Sequence, residues 1–247
     1  MRPICLVIIL VLLALALPAL PVHAGGVVTV CDEAHLLAAL AGGGAVTFTC
    51  SGTITLTGTI TIATDTSLDG SSQNVLISGG GRTKLIVVTP KAALTLKWMT
   101  IVEGSSTSGF PGGGIENEGD LYVVHSTFLD NFADDYGGAI ANGGTAVISD
   151  TIFSDNLADT YGGAIFNSGT MVVRQSAFNT NVGDFGGGAI YNRGIMTLEN
   201  SVFLDNSVGD PEVGMGGGIL NMGTLTIRSS TFSDNHVGGG GGAINSR

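Results

Sequence analysis

The sequence predicts an all-β fold, a right-handed parallel β-helix (solenoid) with a short N-terminal capping helix. Three observations predict it: two motifs that recur every 25 residues, short runs in which apolar residues alternate with polar ones, and a total of 40 glycines. A repeat of this length cannot bury its apolar face alone, so successive copies must stack and pair strand on strand. Equivalent residues then form ladders with a spacing of about 4.8 Å.

The first motif is Phe-x-x-Asn. It begins at Phe128 and recurs at steps of 25, 25, 25 and 29 residues. We expect the phenylalanines to stack in the interior and the asparagines to satisfy one another's amide groups from coil to coil. The predicted ladders are Phe128, Phe153, Phe178, Phe203 and Phe232, with Asn131, Asn156, Asn181, Asn206 and Asn235.

The second motif is Gly-Gly-Ala-Ile or Gly-Gly-Gly-Ile, followed two residues later by asparagine. It keeps the same steps, and a single four-residue insertion, residues 210–213, explains the longer step in both motifs. The isoleucines predict a second apolar wall, and the glycine pairs predict bends with positive φ. The second asparagine ladder comprises Asn117, Asn142, Asn167, Asn192 and Asn221, with Ser246 at that position in the last coil.

Strands rather than helices connect the motifs. Leu121 and Val123 typify apolar pairs that lie two residues apart in every repeat, which is the period of a half-buried strand. Residues 112–247 are therefore assigned to regular 25-residue repeats, and residues 46–111 to degenerate early coils that share the strand character. Residues 25–45 are assigned to an N-terminal cap whose short helix starts after Asp32 and ends before Gly42.

The two ends of the chain carry further expectations. Residues 1–24 combine a positive start, an apolar run and a small-residue cleavage site, which is typical of a secretory signal peptide. After its removal no stretch is apolar enough to cross a bilayer as a helix. The chain stops part-way through a coil, which favours truncation of a longer protein over an exposed last coil that pairs with something else.

Cysteine usage and charge restrict the possible partners. Cys31 and Cys50 remain after signal removal, and an even number in an exported chain favours a disulfide over a metal site, with two free buried thiols as the alternative. The chain has 9 basic and 20 acidic residues, and loss of Arg2 changes its net charge from −11 to −12. Because the basic residues are scattered, nucleic acid is excluded as a partner.

The paired motifs resemble a known repeat. Phe-Leu-Asp-Asn at 128–131 with Gly-Gly-Ala-Ile at 137–140, and their four later counterparts, resemble the polymorphic outer membrane protein repeat, defined by paired FxxN and GGA(I/L/V) motifs. The preceding segment, from Cys31 to Leu68-Asp-Gly, resembles the cap and first coils of secreted bacterial pectin-lyase-like right-handed β-helices. The resemblance implies export, display at the cell surface or outer membrane, and an adhesion or passenger role. It does not imply an enzyme.

Metal binding has one weak candidate. Asp134, Asp159 and Asp184 each follow a repeat asparagine by three residues, so they should stack along one edge, where calcium could neutralise their mutual repulsion. The alternative is that they are solvated loop residues. No other cofactor and no catalytic residue is expected, because catalysis needs one unique cluster whereas these acids recur with the repeat.

Four aromatic residues near the bends have two interpretations. Tyr136, Tyr161, Phe185 and Tyr191 predict either a strip that stacks on sugars or a cover over the glycine turns.

We therefore predict a secreted or cell-surface β-helix scaffold, adhesin-like or passenger-type and non-enzymatic. The expected partner is a surface polysaccharide or a protein of a host or neighbouring cell; the oligomeric state is not predicted. The alternative is a carbohydrate-active enzyme resembling pectate lyase, hence a polysaccharide lyase or hydrolase, or a polysaccharide-binding module.

Overall fold

The computed structural model describes residues 25–107, 111–210, 212, 214–237 and 242–247, so the predicted signal peptide, residues 1–24, lies outside the described residues. Within them the chain is a parallel β-solenoid of about eight turns with one short helix, which confirms the predicted fold class. The strands form four parallel sheets, and each regular coil passes through sheets 1, 2, 3 and 4 in that order.

Sheets 1 and 2 form the first half of each coil. Sheet 1 consists of Val27–Val28, Gly44–Phe48, Thr66–Asp69, Ala93–Lys97, Asp120–Val124, Thr145–Ser149, Thr170–Arg174, Ile195–Glu199 and Thr224–Arg228. Sheet 2 consists of Gly52–Thr55, Val75–Ser78, Met99–Val102, Thr127–Leu129, Ile152–Ser154, Ala177–Asn179, Val202–Leu204 and Thr231–Ser233.

Sheets 3 and 4 complete the coil. Sheet 3 consists of two-residue strands, Ser105–Ser106, Phe132–Ala133, Leu157–Ala158, Val182–Gly183 and Ser207–Val208. Sheet 4 consists of Ile60–Ile62, Ile86–Val88, Ile115–Asn117, Ile140–Asn142, Ile165–Asn167, Ile190–Asn192, Ile219–Asn221 and Ile244–Ser246. Sheet 3 therefore begins two coils later than sheets 2 and 4, and the early coils turn directly from sheet 2 into sheet 4.

Strand pairing keeps the repeat positions in register. Phe128 pairs with Phe153, and Ile140 pairs with Ile165, one coil further on. After the four extra residues the register resumes, because Ile190 pairs with Ile219. The spacing of the sequence motifs thus equals the number of residues in one turn of the solenoid.

The core is a continuous apolar column inside the four sheets. Its period of two is visible in sheet 1, where Leu121 and Val123 are fully buried while Tyr122 between them is 42% exposed. Each fully buried large side chain contributes about 1.5 to 3 kcal/mol. The last coil is less covered, since Leu225, Ile227 and Phe232 are only partly buried.

The helix Glu33–Leu40 covers the N-terminal end of this column. Asp32 is its N-cap and accepts a 2.8 Å hydrogen bond at Oδ1 from the backbone N of His35. That bond is the main reason why the pKa of Asp32 lies below its usual value. Leu36 and Ala39 are buried against the core, so the helix hides the apolar face of the first coil.

Two further links hold this cap to the solenoid. Cys31 and Cys50 form a disulfide with Cα atoms 5.6 Å apart. The Glu33 carboxylate accepts hydrogen bonds of 2.8 Å from both the backbone N and the Oγ1 of Thr57. The cap is therefore tied to the first coil both covalently and by hydrogen bonds.

Candidate functional site

The ladder of Phe-x-x-Asn asparagines is buried and internally satisfied. From Asn131 to Asn235 each side-chain Nδ2 donates to the Oδ1 of the asparagine in the next coil, at 2.9, 2.9, 2.9 and 2.8 Å. The Oδ1 of Asn131 accepts from the backbone N of Gly104 at 2.9 Å, so the first amide is also satisfied. Buried amides without partners would cost about 1 to 3 kcal/mol each, hence this ladder stabilises the turn.

The second asparagine ladder behaves in the same way and includes Ser246. Its amide-to-amide distances are 2.7, 2.8, 2.8 and 2.7 Å, and Asn221 Nδ2 then donates to the Ser246 Oγ at 3.0 Å. The serine that interrupts the sequence pattern therefore supplies the terminal acceptor. Glycine is required beside this ladder, because a Cβ on Gly144 would lie 2.1 Å from the carbonyl oxygen of Gly119.

The phenylalanine ladder fills the interior. Successive ring centroids are 5.0, 4.8, 4.5 and 4.6 Å apart, and the rings are stacked. Among the described residues no buried side-chain nitrogen or oxygen lacks a partner. With the interior filled and its polar atoms paired, a binding function must lie on the outer surface.

An acidic column follows sheet 2 on that outer surface. Asp130 and Asp155 occupy equivalent positions in consecutive coils, and Glu103 holds the position before them. Burial raises the pKa of Asp130, and the charges of Asp155 and Glu103 raise it further. Thr180 takes the next position and donates to Asp155 Oδ1 at 2.6 Å.

The calcium candidates lie directly after sheet 3. Asp134 and Asp184 are half-buried, and Asp159 between them is exposed. Burial raises the pKa of Asp184, followed by the charges of Asp159 and Asp210. In the part of the chain that the structure describes, no three His, Cys, Asp or Glu side chains are arranged to hold a metal ion. Calcium binding and the solvated-loop alternative therefore both stay predictions.

The four predicted aromatic residues come together with a fifth. Tyr136 and Tyr161 lie in register in one column, and Phe166 and Tyr191 lie in register in a neighbouring column. Phe185 adjoins Tyr161 with ring centroids 6.0 Å apart. We call these five residues the aromatic strip. It crosses three successive coils and covers the bend after sheet 3 and the adjoining strands of sheet 4.

The rings of the aromatic strip pack mainly on one another. The centroid distance is 4.8 Å from Tyr136 to Phe166 and again from Tyr161 to Tyr191, and it is 5.6 Å from Phe166 to Tyr191. Tyr136, Tyr161, Phe166 and Tyr191 are half-buried, whereas Phe185 is 38% exposed. Neighbouring rings thus occupy many of the ring faces, and each of the five side chains keeps part of its surface accessible to solvent.

The aromatic strip also borders the glycine bends. Gly162 has a φ of 70°, and a Cβ there would lie 3.0 Å from the backbone N of Tyr191. Close backbone packing under the rings agrees with the covering role, and the partial exposure of the five side chains leaves room for a binding role. The two interpretations of these aromatic residues are therefore compatible.

Desolvation affects the tyrosine hydroxyls. Burial raises the pKa of Tyr136 and of Tyr191, and it outweighs the nearby Arg193, which lowers both values. Both hydroxyls are therefore protonated near neutral pH. Burial likewise raises the pKa of Asp135, which shares a hydrogen bond with Tyr136. The strip thus combines aromatic edges, hydrogen-bond donors and adjacent carboxylates.

Phe166 was not among the predicted aromatic residues. The signal was present, because residue 166 lies between the repeat isoleucine and asparagine, the position that Tyr191 holds in the next coil. That column contains Ala141, Phe166, Tyr191 and Leu220 in successive coils, and its two aromatic members form the second half of the strip.

The comparisons with known proteins agree with the repeat motifs. The family model of the Chlamydia polymorphic membrane protein repeat matches residues 125–143, 150–168 and 229–247. No curated protein and no solved structure matches the chain. Among the described residues no helix has the length and hydropathy required to span a membrane. The FxxN and GGAI coils of this parallel β-solenoid thus contain, in three places, repeats similar to those of the Chlamydia polymorphic membrane proteins.

Proposed function

We propose that the chain is an exported, surface-displayed and non-enzymatic scaffold that adheres to a partner protein through the aromatic strip. The observation that carries this proposal is a group of five aromatic rings on the outside of the solenoid, of which Phe185 is 38% exposed. Clusters of exposed or half-exposed aromatic side chains are typical of binding surfaces, and tyrosine is enriched in protein interfaces.

The ring geometry favours a protein over a sugar as the partner. A pyranose ring stacks on an open aromatic face, whereas Tyr136 and Phe166 already cover each other at 4.8 Å with an interplanar angle of 29°. Ring edges and phenolic hydroxyls suit the mixed apolar and polar contacts of a protein interface. A polysaccharide remains the partner of the second candidate function.

The charge near the aromatic strip defines the partner further. Asp135 lies beside Tyr136, and Asp184 precedes Phe185, in a chain with a net charge of −11. Complementary charge favours a partner surface that contains Lys or Arg, and it accelerates association at low salt. Adhesion is therefore expected to weaken as ionic strength rises.

The test is adhesion of the purified chain to a panel of bacterial and animal cells. Phe185→Ser and Tyr136→Ser should lower cell binding, whereas Tyr122→Ser, which changes an equally exposed ring on sheet 1, should not. Circular dichroism and melting temperatures must show that all three variants are folded. Equal binding by all four proteins would contradict the proposal.

Two treatments of the cells distinguish the partner classes. Trypsin should abolish adhesion, and glycosidases should leave it intact, if the partner is a protein. The reverse result would favour a polysaccharide-binding module. Release of unsaturated products from uronic-acid polymers would instead favour a lyase. Detection of a mature N-terminus at Gly25 in culture medium or at the cell surface would test export.

A further inference from the structure

Sheet 3 starts abruptly, and its first strand borders a cavity. Ser105–Ser106 is the first strand of this sheet, and the two coils before it turn from sheet 2 into sheet 4 without one. Where sheet 3 starts, there is a cavity of about 440 Å³. Three coils line it, with residues such as Thr59, Lys84 and Thr107. The cavity is a consequence of the irregular early coils and occurs at a different place from the aromatic strip.

The lining of this cavity is basic in an acidic protein. Two of the nine cations of the chain, Arg82 and Lys84, contribute to it, and the described residues that line it include no Asp or Glu. Lys84 is bound to Glu116 and its side chain is 12% exposed. Arg82 is exposed and forms no ion pair within the described residues. The cavity therefore presents a guanidinium whose charge is not neutralised by a neighbour.

Hydrogen bonds fix the backbone that holds Arg82. The turn before it closes through a 3.1 Å bond from Arg82 N to Gly79 O, and Gly81 N donates to Glu103 O at 2.9 Å. On the other side Ser105 N donates to Thr83 O at 2.9 Å. The segment is thus anchored to the next coil at both ends, which reduces the loss of backbone entropy when a ligand binds.

Hydroxyl groups surround the guanidinium. Thr59, Thr83, Ser105 and Thr107 line the cavity, and a second cavity of about 350 Å³ shares Arg82 and Thr83 and extends toward Thr55 and Thr57. Arg82 consequently lies between two cavities whose linings are rich in hydroxyl groups. The hydroxyls of Thr59 and Thr57 already donate to Lys84 O and to the Glu33 carboxylate, but they can still accept. Together with the guanidinium donors, this surface can bind a ligand that itself contains many hydroxyl groups.

From this arrangement we infer that Arg82 and the surrounding hydroxyls form a binding site for an acidic saccharide. The guanidinium pairs with the carboxylate or sulfate group of the sugar, since its planar fork matches such oxyanions. The serine and threonine hydroxyls bind the sugar hydroxyls, and the second cavity accommodates a neighbouring sugar unit. This site goes beyond the proposed adhesion and does not depend on it.

The experiment is calorimetric titration of the full chain with glucuronate, glucose and inorganic sulfate. Glucuronate should bind in the millimolar range, and glucose should bind at least about tenfold more weakly because it lacks the charge. Sulfate should also bind more weakly than glucuronate, because it lacks the sugar hydroxyls. Added chloride should weaken glucuronate binding by screening.

The variant Arg82→Gln should lower the affinity for glucuronate about tenfold or more, and Arg82→Lys should recover part of it. Arg247→Gln removes an exposed arginine in the last coil and should change nothing. Unchanged melting temperatures exclude misfolding of these exposed-residue variants. Equal affinity of the Arg82→Gln chain, absence of glucuronate binding, or equal binding of sulfate and glucuronate would overturn the inference. Cell adhesion by Arg82→Gln should equal that of the unchanged chain, so the two proposals can fail separately.

Discussion

Thr180 donates a hydrogen bond of 2.6 Å from its Oγ1 to the Oδ1 of Asp155 in the preceding coil. It occupies a position at which the four other regular coils have Asp130, Asp155, Asp205 and Asp234. Its φ of 54° lies in the left-handed region, which is unfavourable for a β-branched residue. Threonine therefore interrupts a column of like charges at the cost of backbone strain.

This relationship predicts different stabilities for two similar substitutions. Thr180→Asn should raise the melting temperature, because asparagine tolerates positive φ and its amide can still donate to Asp155. Thr180→Asp should be less stable than Thr180→Asn, since it completes a run of carboxylates about 4.8 Å apart. Melting curves at low and high salt provide the measurement. A gap between the two variants that salt does not reduce would contradict the electrostatic explanation.

A second prediction concerns pH. Burial and the charges of Asp155 and Glu103 place the folded-state pKa of Asp130 above its unfolded value. Ionised Asp130 therefore destabilises the fold at pH values above the folded-state pKa, and this destabilisation disappears as pH falls below the unfolded value. Asp130→Asn should therefore raise the melting temperature by about 1 °C at neutral pH. In acid, where Asp130 is protonated in both states, the gain should vanish.

Glu199 should behave in the opposite way and serves as the matched control. Hydrogen bonds from Arg174 and Arg228 lower its folded-state pKa, so its stabilisation is present above the unfolded pKa and is lost as pH falls through the folded value. Glu199→Gln should lower the melting temperature at neutral pH and have no effect in acid. Effects of the same sign for both variants would be inconsistent with the two pKa directions.

A third prediction concerns the buried amide ladder. Asn156→Ala removes the acceptor of both the Nδ2 and the backbone N of Asn131, and it should lower the free energy of unfolding by about 2 to 4 kcal/mol. Ser246→Ala affects the exposed end of the other ladder and should cost less than about 0.5 kcal/mol. Urea denaturation measures both values. Similar losses for the two variants would show that burial does not determine how much a ladder hydrogen bond contributes to the free energy of unfolding.

A fourth prediction concerns calcium. Because no three carboxylates converge within the described residues, we expect melts with calcium and with a chelator to have the same midpoint. The variant Asp159→Asn should likewise be insensitive to calcium. A midpoint that calcium raises in the unchanged chain, and not in Asp159→Asn, would establish the stacked aspartates as a metal site.

The repeated part of the fold could be predicted because every column recurs. Phe128, Asn131 and Ile140 each have copies at the same positions in the coils that follow, and strand pairing brings those copies together. Sheet 3 could not be predicted, since a strand of two residues such as Leu157–Ala158 has no measurable period. The basic cavity was missed for another reason: Arg82 lies in an early coil that has no sheet 3 strand, and such an irregular segment offers no column to compare.

The coil that contains residues 210–213 is four residues longer than its neighbours, yet Phe203 still pairs with Phe232 on the far side. The bend between sheets 3 and 4 is consequently the part of the circumference whose length the stacked strands do not dictate. Foreign peptides inserted there would be displayed beside the tyrosines while the hydrogen-bonded framework stays intact. The same freedom would let natural variants change the residues that contact a partner without changing the strands that stabilise the solenoid.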